Sequence, residues 1–331
     1  MELKEIYRPI EEELNGVEEV LRCSLKKTEN ESISRINNFL IESPGKRIRP
    51  ALVILSAKAT LNDQPHDVDQ QLIKVASAIE LVHMASLVHD DVIDHSPTRH
   101  NRPTINAKWG EDVSIALGDY LYSVAFELAG DSVNPDIISC MSSAVKAMCE
   151  GELIQVCERG NLDLLKERYI IIVKKKTAAL FAASCQVGAL ISTNQTVQQG
   201  ALREYGLNFG IAFQIIDDYL DLVGEECKLG KAPGQDIGVG EITLPLLNLF
   251  DTVKEKDREQ LKTLLAVKGD KEALMMIQSK ILNSDVPSKT RKAAASYIDL
   301  AKVGIGSLSQ SPYKKSLIDL ASFAIKRGFN G

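Results

Sequence analysis

Six aspartates in two short runs carry the most legible chemistry in this sequence. They are Asp90, Asp91 and Asp94 in His89-Asp90-Asp91-Val92-Ile93-Asp94, and Asp217, Asp218 and Asp221 in Asp217-Asp218-Tyr219-Leu220-Asp221. Each run closes a long apolar segment without proline, residues 75–88 and 206–216, whose period is helical. On a helix, positions i and i+4 share a face, so Asp90 projects with Asp94 and Asp217 with Asp221. Two carboxylates about 4 Å apart repel by about 1 kcal/mol in water and about 4 kcal/mol near a protein surface. A hard divalent cation removes that repulsion, and Mg²⁺ takes one or two carboxylates, several waters and substrate phosphates. Solvated helix ends also tolerate such runs. One spacing repeated after two apolar helices favours a metal–phosphate site.

Cations that suit a phosphate ligand occur elsewhere. Gly45-Lys46-Arg47-Ile48-Arg49-Pro50 puts three of them directly before an apolar helix over 51–61, where charge-assisted bonds can hold a diphosphate. A solvated basic turn is the plainer alternative for that stretch alone. His83 lies two helical turns before Asp90 on a similar face, a lining residue rather than a base. The segment 95–104 adds Arg99, His100 and Arg102, and Lys174-Lys175-Lys176-Thr177 sets three ammonium groups at a helix junction. Residues 228–240, rich in Gly and Pro and containing Lys231, read as a lid loop.

The elements that must position these groups read as helices. Residues 2–14, 32–41, 51–61, 70–94, 112–130, 136–159 and 162–175 have helical period, and several more helices run from 244 to 325. No sustained period-2 run of β-branched residues occurs, so the fold class is all-α. The 331 residues are 44% hydrophobic and 25% charged, with no linker that divides them, so one domain is expected. A net charge of −6 argues against nucleic acid as a partner. The six cysteines and five histidines show no zinc or disulfide spacing, and residues 1–19 show no signal peptide, so a reducing, cytoplasmic setting is expected. Residues 177–202 carry no formal charge, but their apolar part falls short of the ~20 residues of a membrane span; a buried core helix is expected, and no transmembrane segment.

The pattern resembles the trans-prenyltransferases of the polyprenyl diphosphate synthase family. The resemblance runs through GKRIRP at 45–50, HDDVID at 89–94, RHNRPT at 99–104, GELIQ at 151–155, KT at 176–177, FQIIDDYLD at 213–221, GK at 230–231 and TLP at 243–245. It implies an isoprenoid-synthase bundle of long helices around a central cavity, usually a homodimer, using Mg²⁺. Substrates would be an allylic diphosphate and isopentenyl diphosphate, and a polyprenyl product could pass to a membrane. By residue, it implies that Asp90, Asp94 and Asp217 bind Mg²⁺ on the allylic diphosphate, supported by Asp91, Asp218 and Asp221. Arg99, Lys176 and Lys231 would neutralise that diphosphate. Lys46, Arg49 and His83, with Arg47 in the same run, would hold isopentenyl diphosphate. Thr177 and Gln214 would line the reacting centre, with Phe213 beside them.

Two positions depart from the family pattern. His100 stands where a second arginine is usual, and Glu241 where a lysine is usual; His100 can still donate to a phosphate, and Arg102 is near in sequence. An active synthase is the leading reading. A terpene cyclase-like enzyme and a non-catalytic diphosphate-binding partner subunit are the alternatives. In this family the product grows from the first motif toward the start of its helix. There Ala85 and Ser86 are small, and Leu81, Val82, Ala78 and Ser77 follow without an aromatic side chain. One helical turn advances 5.4 Å, about one isoprene unit, so a product of about C20 or longer is expected. Tyr120, Tyr122 or Phe126 could close the path from a facing helix.

Overall fold

The structure is a computed structural model, and it describes residues 2–42, 45–61, 67–99, 101–132, 134–224, 234–266 and 271–329. The chain is all-α. In order come α1 (Leu3–Tyr7), α2 (Glu11–Lys26), α3 (Glu31–Ile41), α4 (Ile48–Thr60), α5 (Asp67–Ile93), α6 (Ile105–Trp109), α7 (Glu111–Gly130), α8 (Pro135–Cys157), α9 (Lys166–Val173), α10 (Ala179–Ser192) and α11 (Thr196–Val223). Helices Gln235–Val239, Leu244–Thr252, Glu255–Ala266, Lys271–Leu282, Val286–Gly304 and Pro312–Phe329 follow. The chain divides into two compact units: Met1–Val145, Leu180–Gly206 and Val303–Leu320, and then Lys146–Ala179, Leu207–Lys302 and Ala321–Gly331.

In the first unit the apolar face of α4 and nearly the whole of α5 are buried, from Leu72 to Val88. Close approach of α10 to α4 depends on Gly188, where an added Cβ would fall 3.0 Å from the Ser56 side chain; one turn on, the Thr60 and Ser192 hydroxyls meet at 2.6 Å. In the second unit, Tyr169, Ile172 and Val173 of α9, Phe209 to Leu222 of α11, and residues 244–250 supply the core.

Several expected boundaries move, each for a local reason. The helix expected over 2–14 breaks at a 3₁₀ turn, Arg8–Ile10, which carries Pro9, and helix then resumes to Lys26. α4 begins at Ile48, so Arg49 lies in its first turn rather than ahead of it. α9 begins at Lys166 instead of 162 because the Asn161 side chain accepts the Asp163 N–H at 3.1 Å and holds a turn there. The expected junction at Lys174 is continuous helix, with a π-helical turn over Lys174–Ala178. Residues 235–239 of the expected lid are helical, and 225–233 lie outside the described residues. The uncharged 177–202 stretch splits into α10 and the start of α11, and Leu180 to Ala189 is mostly buried. Among the described residues one helix, Gln70–Ile93, is long and apolar enough to cross a membrane, and 67% of its apolar window is buried in the protein.

Candidate active site

In the first unit the Asp90 and Asp94 carboxylates sit one turn apart at the end of α5, both partly exposed; the Asp94 N–H still donates to the Asp90 carbonyl at 2.9 Å. Asp91 turns inward, 5% exposed, and the Arg99 guanidinium reaches its Oδ1 at 2.9 Å through both Nε and Nη2. Burial raises the Asp91 pKa, and Arg99 opposes that rise. Arg99 is delivered by a two-residue antiparallel ladder, Thr98–Arg99 against Arg102–Pro103. Left-handed backbone occurs at His95, ahead of the ladder, and at Asn101, between its two strands. His89 locks the preceding turn: its Nε2 meets the Ile115 carbonyl at 3.1 Å, and a side chain at Gly118 would collide with its ring.

The three cations of the 45–50 run do different things. Lys46 is exposed, and its carbonyl accepts from the Tyr7 hydroxyl at 3.1 Å. Arg47, in left-handed conformation at φ 49°, bridges Glu18 of α2 and Glu80 of α5, the latter at 2.8 Å. Burial works against its charge, but the two carboxylates outweigh that and raise its pKa. Arg47 therefore braces the helices. Arg49 lies 4.3 Å from the centre of the Phe181 ring, and its buried Nε has no hydrogen-bond partner among the described residues. Burial pulls its pKa down to about 10, against the fields of Glu80 and Asp90. His83 is half-buried one turn above Ser86, whose hydroxyl donates to the His83 carbonyl at 2.9 Å. Ala85 is wholly buried and Ser86 partly exposed; Phe126 on α7 is partly exposed.

The second unit holds a hydrogen-bonded chain. Thr177 donates to Gln214 Oε1 at 2.7 Å, and Gln214 Nε2 donates to Asp218 Oδ1 at 2.6 Å. The Tyr169 hydroxyl donates to Asp218 Oδ2 at 2.5 Å. Burial pushes the Asp218 pKa up to about 6, with these two donors working the other way. Lys176 pairs at 2.5 Å with Glu152 of the GELIQ segment, and Lys175 pairs with Glu150 on the same helix. A Cβ at Gly151 would fall 2.7 Å from the Lys176 Cα, so α8 presses directly on the π-helical turn. Asp217 is partly exposed and ion-paired with Arg327, which also lies 4.5 Å from the Phe213 ring centre. Asp221, 2% exposed, accepts the Asp236 N–H at 3.2 Å and so anchors the chain as it re-enters helix at Gln235. Glu241 is 8% exposed and paired with Arg159 at 3.5 Å, beside a Gly160 N–H to Gly240 carbonyl bond of 2.8 Å. Lys231 and His100 lie outside the described residues.

Sequence reasoning missed Tyr169, Arg159 and Arg327. Tyr169 had a signal, a lone hydroxyl in an otherwise aliphatic run, whereas Arg159 and Arg327 look like ordinary surface arginines.

The donor set fits a hard cation. Every candidate ligand is a carboxylate oxygen, and among the described residues no three His, Cys, Asp or Glu side chains converge as a ready-made cage. Mg²⁺ needs none, since phosphates and water complete its shell.

The polyprenyl synthetase family model matches residues 30–281. A short chain isoprenyl diphosphate synthase of Methanothermobacter thermautotrophicus is 35% identical over 332 residues, covering 99% of both chains. The heptaprenyl diphosphate synthase component 2 of Geobacillus stearothermophilus is 33% identical, covering 99% of this chain and 100% of that one. The crystal structure of a polyprenyl synthase from Caulobacter crescentus, complexed with calcium and isoprenyl diphosphate, superposes with a TM-score of 0.93 at 30% identity, covering 99% of this chain and 98% of that one.

Proposed function

The chain belongs to the polyprenyl synthetase family, and from that premise we propose that it is a prenyltransferase condensing an allylic diphosphate with isopentenyl diphosphate, head to tail. The observation that carries this reading is the part-buried Thr177–Gln214–Asp218–Tyr169 chain with Lys176 beside it. It combines fixed donors, a fixed cation and an acidic motif, as departure of a diphosphate requires.

Asp90, Asp94 and Asp217 are the candidate ligands for Mg²⁺; the calcium in the Caulobacter structure supports a divalent ion in this role. When bound, such an ion supplies Lewis-acid stabilisation of the departing pyrophosphate. Asp91 and Asp218 are held by Arg99 and Tyr169, and they set the field around those ligands. Lys176 and Lys231 neutralise the allylic diphosphate. Arg49, Lys46 and His83 hold the diphosphate of isopentenyl diphosphate, and Arg47 keeps their loop in place. The allylic C–O bond breaks, the isopentenyl double bond attacks the cation, and a proton passes to the released pyrophosphate. No nucleophilic side chain takes part, and apolar walls keep water from the cation.

The small side chains at Ala85 and Ser86 support a product of about C20 or longer, at about one isoprene unit per helical turn. We read the whole chain as one catalytic domain, since the family match takes in parts of both units. A cytoplasmic homodimer completes the reading, with sedimentation as its test. Incorporation of labelled isopentenyl diphosphate, with Mg²⁺ and allylic primers of several lengths, tests the activity; if no primer is elongated, the reading falls. The partner-subunit alternative would then stand, and the name component 2 of one relative gives it a precedent.

A further inference from the structure

The last described turn of the helix Pro312–Phe329 lies along the acidic end of α11 through three successive residues. Arg327 pairs with Asp217, and its guanidinium stands 4.5 Å from the centre of the Phe213 ring, one turn earlier on α11. Gly328 passes over Ile216, where an added Cβ would come within 2.6 Å of Cγ2. Phe329 stacks on Tyr219, with ring centres 4.7 Å apart and planes at 27°. One residue of each pair therefore comes from the same short stretch of α11, residues 213–219.

We propose that Arg327–Gly328–Phe329 is a latch that places a guanidinium on Asp217 where a divalent cation would bind, so that metal entry requires the latch to let go. The reading rests on Asp217 being a metal ligand. The aromatic stack and the glycine contact seat the segment, and the ion pair blocks the carboxylate. The guanidinium is held at a cost: it is mostly buried, and its Nε lacks a hydrogen-bond partner among the described residues. A cation in that setting regains hydration on leaving, so release is easier than the ion pair alone implies. The side chain of Asp217 keeps 40% of its surface exposed, which leaves an approach for the incoming ion. In this way the protein discriminates against metal alone and accepts metal that arrives with a diphosphate.

The test is Mn²⁺ binding to the full chain, read by the electron paramagnetic resonance signal of free Mn²⁺, without any diphosphate. Arg327→Gln and Phe329→Ala should each bind Mn²⁺ more tightly than the unaltered protein. The expected gain for Arg327→Gln is about fivefold, as suits loss of one partly exposed ion pair. With inorganic pyrophosphate present the difference should shrink. Adding Asp217→Asn to Arg327→Gln should abolish the gain. Unchanged or weaker Mn²⁺ binding in Arg327→Gln overturns the latch, even where Asp217→Asn alone weakens binding and so leaves the metal role of Asp217 intact. If Asp217→Asn alone leaves Mn²⁺ binding unchanged, the latch and that metal role fall together, while prenyl transfer itself is judged by the labelling assay.

Discussion

The Tyr169 hydroxyl donates to Asp218 Oδ2 at 2.5 Å, joining α9 to the second acidic motif inside the second unit. Tyr169→Phe removes the donor and keeps the ring, which is 4% exposed and packed. A lost hydrogen bond to a charged group costs about 1.5–3 kcal/mol. Prenyl transfer should fall about tenfold or more while the thermal midpoint drops little. Full activity in Tyr169→Phe would remove Tyr169 from the site.

Asp218 also predicts a pH dependence of stability in the metal-free protein. Its folded pKa is raised to about 6 by burial, above the ordinary 3.8. The fold thus favours the protonated acid; this contribution is present below the ordinary value and is lost as pH rises through about 6. In EDTA the thermal midpoint should decline from about pH 5 to about pH 7 more steeply in the unaltered protein than in Asp218→Asn. Parallel curves would count against it.

Gly151 is where α8 touches the backbone of Lys176. Gly151→Ala forces a methyl into that contact and should cost about 1–3 kcal/mol. Because the displaced backbone carries Lys176, the KM for the allylic diphosphate should rise as well. A melting curve with steady-state kinetics checks both effects.

Glu241 stands where the resemblance leads us to expect lysine, and its carboxylate is neutralised by Arg159. Restoring a cation is therefore expected to harm: Glu241→Lys sets like charges together in a largely buried place and should cost about 3 kcal/mol, with Glu241→Gln milder. Faster turnover in Glu241→Lys would show that position 241 meets the diphosphate directly.

Ala85 and Ser86 separate under substitution. Ser86 is partly exposed, so Ser86→Phe should shorten the product and leave the fold intact. Ala85→Phe should shorten it too, but at a stability cost of about 1–3 kcal/mol, because Ala85 is wholly buried. Product chain length by chromatography, together with melting curves, decides.

The helical class and both acidic motifs were readable because apolar periodicity and i, i+4 spacing are local properties of the chain. What escaped depends on partners distant in sequence. Arg47 looks like Lys46 and Arg49 until Glu18 and Glu80 claim it. Asp221 looks like Asp217 until the Asp236 N–H reaches it. Arg327 lies 110 positions beyond Asp217, and nothing local marks it as a partner. The π-helical turn was invisible as well, since no breaker marks Lys174–Ala178 and the Gly151 of α8 that it meets is distant in sequence.

That turn has an evolutionary consequence. A π turn carries one residue more than regular helix needs, so it behaves like an insertion the chain has kept. Removing one of its residues would return the segment to regular α-helix, with the flanking helices keeping their phase and the residues inside the turn losing theirs. Descendants of this gene are therefore expected to keep the turn's length together with its Lys176 and Thr177, because the turn is what sets these two against Glu152 and Gln214.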